Sequence, residues 1–142
     1  MCEKKSVLVS AIMTSEVITV GLDDSLETIR TIFENSRFHH LLVQDEGKLI
    51  GVISDRDLLK RLCPWLGKLS EKPHGKSTLE VKAHSILSRD PITVFKDDSV
   101  KYASRLMLDH NISCLPVVSK AGGIDGIVTW KDILSYSLDT DN

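Results

Sequence analysis

The sequence lacks the features that mark membrane, secreted and nucleic-acid-binding proteins. No apolar stretch approaches the roughly 20 residues that span a bilayer, and the apolar patch from Val7 to Ile12 is too short and too polar for a secretion signal. The formal net charge is only −2, with acidic and basic residues interspersed. The broad basic field that duplex nucleic acid requires is therefore missing, and neither a membrane nor a nucleic-acid partner is expected.

Cysteines and clusters of reactive side chains are also few. Cys2, Cys63 and Cys114 are far apart and show no Cys-x-x-Cys spacing, so neither a disulfide framework nor a zinc site is predicted. No nucleophile with a paired base and no group of metal ligands can be picked out. We therefore expect a cytoplasmic protein that has no metal site, no catalytic residues and no enzymatic activity of its own.

What the sequence does contain is a tandem duplication. Ile12 to Val20 recurs 74 positions later as Ile86 to Val94, and the helix start and the strand that follow recur at the same offset. Beyond a hairpin turn that is one residue longer in the second copy, Gly51 to Leu59 recurs 75 positions later as Gly126 to Leu134. The chain is therefore built from two copies of one unit.

Each copy has the pattern of a strand, a helix, two strands and a second helix. In the first copy, strands are predicted at 17–20, 38–43 and 49–53. Asp24 and Glu27 have the spacing of a capping box, which predicts Asp24 as the N-cap of the first helix. Asp45 to Lys48 predicts a hairpin turn, and the second helix is predicted to run from Ser54 to about Leu62.

The duplication also predicts the domain organisation. It places a first domain at residues 6–64, a linker at 65–82 and a second domain at 83–137. The expected fold class is α/β (α+β), with two β-α-β-β-α repeats packed sheet to sheet as one module of pseudo-two-fold symmetry. Packing of this kind is expected because either copy alone is too small to bury its own sheet.

In both copies a hydroxyl residue ends a strand and an aspartate follows three positions later. The pairs are Ser54 with Asp57 and Thr129 with Asp132. The spacing is that of a capping box, with aspartate in place of the usual glutamate or glutamine. The same residues would lie at the positive end of a helix, where unpaired N–H groups can hold an anionic ligand. The residues alone leave both interpretations open.

Together these motifs resemble a pair of cystathionine-β-synthase (CBS) domains, also called a Bateman module. The resemblance rests on the Ile-Met-Thr opening, Val-Ile-Thr-Val and Pro-Ile-Thr-Val, the Asp-Asp-Ser helix start, Leu-Pro-Val and the Gly-x-x-Ser/Thr-x-x-Asp exit. It covers residues 6–137 and leaves no stretch for a catalytic domain, as in a stand-alone CBS-domain protein. Leu42 departs from the pattern, because the family usually has proline there and the second copy has Pro116.

The resemblance implies a regulatory sensor that binds an adenosine nucleotide of the AMP, ADP or ATP type between its repeats. S-adenosylmethionine or NAD is less expected, and no cofactor is implied. The module would form a homodimer through its helices and signal to an unidentified regulated protein by a ligand-dependent conformational change. The alternative is a ligand-free oligomerisation or protein-interaction module, in which both hydroxyl–aspartate pairs only cap their helices.

The family's binding residues carry over to matching positions of this chain. Asp57 and Asp132 would accept hydrogen bonds from the ribose hydroxyls, for which a carboxylate has suitable acceptor oxygens. Ser54 and Thr129 would bind the phosphate or ribose beside the helix N-terminus. The remaining implied contacts are Val17, Ile18, Pro91 and Ile92 to the adenine, and His39, His40, Arg56 and Lys131 to the phosphates.

The resemblance also implies that the two ligand clefts are unequal. The cleft of Thr129 and Asp132 would receive His39, His40 and Arg56 from the first repeat, a set suited to several phosphate charges. Because His39 and His40 are neighbours on a strand, at most one of them would face a given cleft. The cleft of Ser54 and Asp57 would receive Ser113, Cys114 and Lys131. We therefore expect the Asp132 cleft to bind more tightly.

Overall fold

A computed structural model describes residues 7–62 and 81–140. The predicted linker lies outside the described residues except for Val81 and Lys82. The chain divides into two compact units, one formed by Ile18–Asp90 and the other by Met1–Val17 together with Pro91–Asn142. Each unit contains a sheet and two of the described helices, so the mixed α+β class predicted from the sequence is confirmed.

The unit Ile18–Asp90 follows the predicted order of strand, helix, two strands and helix. Its sheet has the order β1-β2-β3-β4, in which β1 is parallel to β2 and the other neighbours are antiparallel. The elements are β1 (Thr19–Val20), α1 (Leu26–Glu34), β2 (His40–Asp45), β3 (Lys48–Ser54), α2 (Asp55–Leu62) and β4 (Ser88–Arg89).

The second unit repeats this arrangement with a smaller sheet. Its described elements are α3 (Val100–His110), β5 (Cys114–Val118), β6 (Ile124–Thr129) and α4 (Trp130–Thr140). The strands β5 and β6 form an antiparallel pair. The strand expected before α3 is reduced to a single parallel bridge between Val94 and Val117.

The hairpin of the first repeat contains a bulge that the sequence pattern did not predict. Glu46 and Gly47 form the predicted turn, with φ angles of 52° and 80°, and such left-handed angles are those of a type I′ turn. The pairing then shifts by one residue on β3, so that Ile50 has no partner in the ladder. Asp125 takes the same place in the second repeat. The bulge decides which residues meet at the far end of each hairpin.

The first helix is capped one residue later than predicted. The Ser25 hydroxyl accepts a hydrogen bond from the Thr28 N–H at 3.2 Å, whereas the Asp24 carboxylate accepts one from the Gly21 N–H at 2.7 Å. The prediction that Asp24 is the N-cap was therefore wrong. Both residue types are good caps. Here the Asp24 side chain bonds within the turn that precedes the helix, and the Ser25 side chain caps the helix.

Each unit has its own hydrophobic core. The first core joins the apolar face of α1 to one face of β2, and the second joins α3 to β5 and β6. Burial of an aliphatic side chain contributes about 1.5–3 kcal/mol, so these clusters supply most of the stability of each unit. The fully buried members include Leu26, Ile29, Leu41, Val43 and Ile53 in the first unit, and Leu115, Val117 and Val128 in the second.

The segments that precede the repeats, residues 7–15 and 81–89, are called the leading segments. Each lies in the unit of the other repeat: Val9 is fully buried in the second core, and Ala83 is fully buried in the first. The Val9 N–H donates to the Asp98 carbonyl at 2.7 Å, and the Ala83 N–H donates to the Asp24 carbonyl at 2.7 Å. The sequence repeats and the compact units therefore do not coincide.

Two glycines allow the leading segments to approach the strands. The Thr14 N–H donates to the Ile127 carbonyl at 2.8 Å, and the Ile127 N–H donates back at 2.9 Å. A Cβ on the neighbouring Gly126 would lie 2.5 Å from the Thr14 carbonyl oxygen, and one on Gly51 would lie 2.5 Å from that of Ser88. Glycine is required at both positions because the neighbouring atoms are backbone.

We predict that Gly126→Ala lowers the free energy of unfolding by about 1–3 kcal/mol, the usual cost of overpacking. Gly21→Ala is the matched control, because its new Cβ would meet nothing closer than Asp24 Oδ2 at 3.8 Å. That variant should change stability by less than about 0.5 kcal/mol. Urea unfolding measures both values, and equal destabilisation by the two variants would contradict the close packing at Gly126.

Candidate functional site

The predicted Ser54–Asp57 pair lies at the junction of β3 and α2. The Ser54 N–H donates to Asp57 Oδ2 at 3.1 Å, and the Asp57 N–H donates to Ser54 Oγ at 3.0 Å. Both residues are half-buried. This reciprocal bonding is a capping box, so the cap interpretation of the motif holds in the first repeat.

Thr129 and Asp132 form the same arrangement between β6 and α4. The Thr129 N–H donates to Asp132 Oδ2 at 2.9 Å, and the Asp132 N–H donates to Thr129 Oγ1 at 3.4 Å. The threonine hydroxyl also donates to Asp132 Oδ2 at 3.2 Å. A single carboxylate oxygen thus serves both the strand end and the hydroxyl in this repeat.

Each cap uses only one oxygen of its aspartate. The bonds to Asp57 and to Asp132 all involve Oδ2, and the described residues donate no hydrogen bond to either Oδ1. A carboxylate can accept about four hydrogen bonds. The cap therefore orients a half-buried carboxylate and leaves acceptor capacity for hydroxyl groups of a ligand.

His39 is held by a residue that the sequence analysis did not single out. Its Nδ1 lies 2.7 Å from Asp55 Oδ2, and the Asp55 N–H donates to the His39 carbonyl at 2.8 Å. The His39 side chain is 57% exposed. The bulge at Ile50 shifts the pairing by one residue and so brings Asp55 opposite His39. A register counted from the turn without this shift does not pair the two residues. The imidazole thus has one nitrogen fixed and the other directed away from Asp55.

The two predicted cations of the helix starts are both exposed. Lys131 Nζ lies 5.9 Å from the centroid of the Trp130 ring, within the range of a cation–π contact. Arg56, the equivalent residue of α2, forms no ion pair with the described residues. Burial raises the pKa of the Cys114 thiol to about 12, so this residue, predicted to face the Ser54–Asp57 cleft, is neutral at physiological pH.

The predicted adenine-contacting residues lie just before the first strand of each repeat, and all are half-buried. Val17 belongs to one unit and Ile18 to the other, whereas Pro91 and Ile92 share the second unit. The Ile18 carbonyl accepts a hydrogen bond from the Leu42 N–H at 3.4 Å. The predicted grouping of His39, His40 and Arg56 with Asp132 joins residues of different units and stays a prediction.

One open pocket of about 480 Å³ lies at the other end of the first sheet. It is lined by the hairpin turn, the loop before α1 and two side chains of the leading segment, His84 and Arg89. Ser54 ends β3 at the opposite end of that strand from the hairpin turn, so this pocket is not the predicted ligand site. Within residues 7–62 and 81–140, no three His, Cys, Asp or Glu side chains are placed to share a metal ion, and no helix is long and apolar enough to cross a bilayer.

The environment of His40 predicts a pH dependence of stability. Burial lowers its pKa from the ordinary value of 6.5; Asp55 and Asp57 act in the opposite direction, and His39 acts in the same direction as burial. The folded state therefore favours the neutral imidazole. As the pH falls below 6.5, the unfolded chain takes up the proton first, and stability present above that pH is lost.

Urea unfolding at about pH 7.5 and about pH 5.5 tests this prediction. The free energy of unfolding should be smaller at the lower pH, and His40→Gln should reduce that difference. His39→Gln is the matched control on the exposed neighbour. A pH dependence that His40→Gln leaves unchanged would contradict the assignment.

Comparison with known proteins places these motifs in a family. A family model described as "CBS domain" matches residues 9–63 and 83–139. A CBS domain-containing protein of Dictyostelium discoideum is 35% identical over 90% of this chain and 89% of its own length. Other curated relatives are longer: this chain spans 45% of one and 21% of another, a homoserine O-acetyltransferase of Methanosarcina acetivorans, each 30% identical over the match.

Solved structures give the same result for the fold. The CBS-pair protein CBSX2 of Arabidopsis thaliana, solved in complex with AMP, matches with a TM-score of 0.80 and 26% identity over 96% of this chain and 99% of that one. The CBS domain pair of protein MJ0100, solved with 5′-methylthioadenosine and S-adenosyl-L-methionine, matches with a TM-score of 0.78 and 28% identity over 96% and 99%.

Proposed function

Because the chain belongs to the CBS domain family, we propose that it is a regulatory module that binds an adenosine nucleotide and has no catalytic activity of its own. AMP, 5′-methylthioadenosine and S-adenosylmethionine, found with similar CBS pairs, share the adenosine moiety. The ligand would be AMP, ADP or ATP. Its binding would change the conformation that the module presents to a regulated protein.

The observation that carries this proposal is the state of the two aspartates. Asp57 and Asp132 are half-buried, and each is oriented by a cap that occupies Oδ2 alone. Adjacent ribose hydroxyls need closely spaced acceptors that are already in position. Each aspartate can thus cap its helix through Oδ2 and still accept a ligand hydroxyl through Oδ1. Ser54 and Thr129 would lie beside the phosphate or ribose.

The proposed phosphate contacts differ in charge. Arg56 and one of His39 and His40 would serve the Asp132 site, and Asp55 already fixes the His39 ring for a contact through its second nitrogen. Lys131 would serve the Asp57 site, but its ammonium lies over the Trp130 ring. The Asp132 site is therefore proposed to bind the more highly charged nucleotide, and to bind it more tightly.

Thermal unfolding in the presence of nucleotides tests the function. A ligand present at about 100 times its dissociation constant should add about 2.7 kcal/mol to stability and raise the melting temperature. We expect this rise with AMP, ADP or ATP. If these three, NAD and S-adenosylmethionine all leave the melting temperature unchanged, the chain is the ligand-free interaction module in which both aspartates only cap.

The matched variants for this measurement are Asp132→Asn and Asp57→Asn. Asparagine keeps one acceptor oxygen for the cap and removes the charge, so both variants should fold. Because a hydrogen bond to a charged acceptor contributes about 1.5–3 kcal/mol, each should reduce the ligand-induced rise at its own site. Asp132→Asn should have the larger effect. The reverse order would show that the Asp57 site, and not the Asp132 site, binds the nucleotide more tightly.

We further propose that the module forms a homodimer through its helices, as the family resemblance implies. Trp130, Leu134 and Leu138 are spaced four residues apart on one face of α4 and are 50%, 48% and 61% exposed. Side chains at this spacing share a helix face. An apolar stripe of this kind on a monomer marks an interaction surface, and a second copy of the chain offers the same stripe.

Light scattering after size exclusion measures the oligomeric state. The parent chain should be a dimer, and Leu134→Lys should be a monomer with unchanged helical content, because a lysine in a helix interface buries an unpaired charge. Leu108→Lys on α3 is the matched control, since Leu108 is 75% exposed and lies on another helix. A monomeric parent, or a dimeric Leu134→Lys protein, would contradict the proposal.

A further inference from the structure

One ring nitrogen of His39 is already bonded, and this decides which nitrogen is left for a ligand. Nδ1 lies 2.7 Å from Asp55 Oδ2. An ionised carboxylate only accepts hydrogen bonds, so Nδ1 carries a proton. The Asp55 N–H also donates to the His39 carbonyl at 2.8 Å, which joins the two residues through the backbone. Nε2 forms no hydrogen bond with the described residues and is the nitrogen that a ligand can reach.

The protonation state of His39 determines what Nε2 can bind. A neutral imidazole carries a single proton, and with that proton on Nδ1, Nε2 is an acceptor. A phosphate oxygen is also an acceptor, so no proton would lie between the two atoms. The imidazolium carries a proton on each nitrogen and forms a charge-assisted hydrogen bond with phosphate. The bond to Asp55 therefore prevents the neutral ring from donating to a phosphate through Nε2.

His40, the next residue along β2, is less suited to bind a phosphate as a cation. Burial lowers the pKa of His40, so the folded state favours its neutral form. The His39 side chain is 57% exposed, and an exposed ring loses less solvation when it becomes charged. Of the two neighbouring histidines, His39 is therefore the one that can present a positive charge to a ligand.

The charges around the His39 ring are mixed in sign. Among the described residues, Asp55 is the carboxylate within ion-pair distance of the ring, and its charge favours the imidazolium. A bound phosphate adds negative charge beside the ring and shifts the balance further in the same direction. Basic neighbours oppose it. The other titratable and charged groups at this junction are Arg56 and Asp57 on α2, His40 on β2 and Arg37 before it.

We propose that His39 binds a phosphate of the nucleotide through Nε2 as the imidazolium, and that Asp55 makes this binding proton-coupled by holding the proton of the neutral ring on Nδ1. This inference rests on the proposed nucleotide-binding function. Binding places one proton from solution on Nε2, so the affinity rises as the pH falls. Asp55 is a positioning residue, because it acts on the phosphate through the His39 ring.

Calorimetric titration of the full chain with AMP, at about pH 7.5 in buffers of different ionisation enthalpy, measures the proton uptake. The AMP phosphate contributes little, because its second pKa is about 6 and it is already a dianion. An imidazole is ordinarily neutral at this pH, so we expect about one half to one proton per AMP. His39→Gln should abolish the uptake. His110→Gln, which changes an exposed histidine of α3, is the matched control and should keep it.

Asp55→Asn separates this mechanism from a general effect on the structure. The variant keeps the backbone hydrogen bond to the His39 carbonyl. Its side-chain amide can donate to Nδ1, which moves the ring proton to Nε2. The neutral ring can then donate to phosphate, so the variant should still bind AMP and take up fewer protons. An uptake that Asp55→Asn or His39→Gln leaves unchanged would overturn the proposal, as would its loss in His40→Gln alone.

Nitrogen NMR of the ligand-free chain at about pH 8 gives an independent measurement. The neutral His39 ring of the parent should carry its proton on Nδ1, and Asp55→Asn should increase the population with the proton on Nε2. A parent ring with its proton on Nε2 would overturn this inference even where AMP binds tightly. A parent that binds neither AMP, ADP nor ATP would instead overturn the proposed function, and this inference with it.

Discussion

The backbone pairing of a leading segment with a glycine-containing strand is the contact on which each unit depends. Thr14 and Ile127 exchange two hydrogen bonds, and the missing Cβ of Gly126 makes the approach possible. Thr129 lies only two residues beyond this pairing, at the end of the same strand. The leading segment therefore pairs with β6 close to the residue that caps α4. In the first repeat Ser88 pairs with Val52, which likewise lies two residues before Ser54.

A cap and a binding site can use the same aspartate because they use different oxygens. The bonds to Oδ2 of Asp57 and Asp132 stabilise the helix start in the absence of any ligand. They also fix the side-chain torsions, so that a ligand would not have to order the carboxylate when it binds. The local sequence signal for a cap is consequently the same as that for an orienting carboxylate, and motif spacing alone could not separate the two.

Local signals in the sequence predicted much of this fold. The duplication predicted the order of elements, and the turn at Glu46 and Gly47 formed as expected. The one-residue bulge at Ile50 was missed because it depends on pairing across the hairpin, and the contact between His39 and Asp55 was missed with it. At α1, Asp24 and Ser25 compete for one cap, and residue preference does not decide between neighbours of similar propensity.

The exchange of leading segments was unpredictable for a reason that comes from the duplication itself. Residues 7–15 and 81–89 carry similar patterns, and the strands that receive them are also similar, so either segment fits either sheet by local sequence. Only connectivity and packing across the whole chain select the observed partners.

The same similarity makes the differences between the repeats informative. Where backbone pairing is otherwise conserved between the two copies, a change such as Leu42 to Pro116 alters a single donor. The His39–Asp55 pair has its counterpart in Ser113 and Trp130, which keep the backbone bond at 3.0 Å and lose the bond between imidazole and carboxylate. Two copies of one backbone pattern thus come to differ in the groups beside their helix starts through a few residue changes.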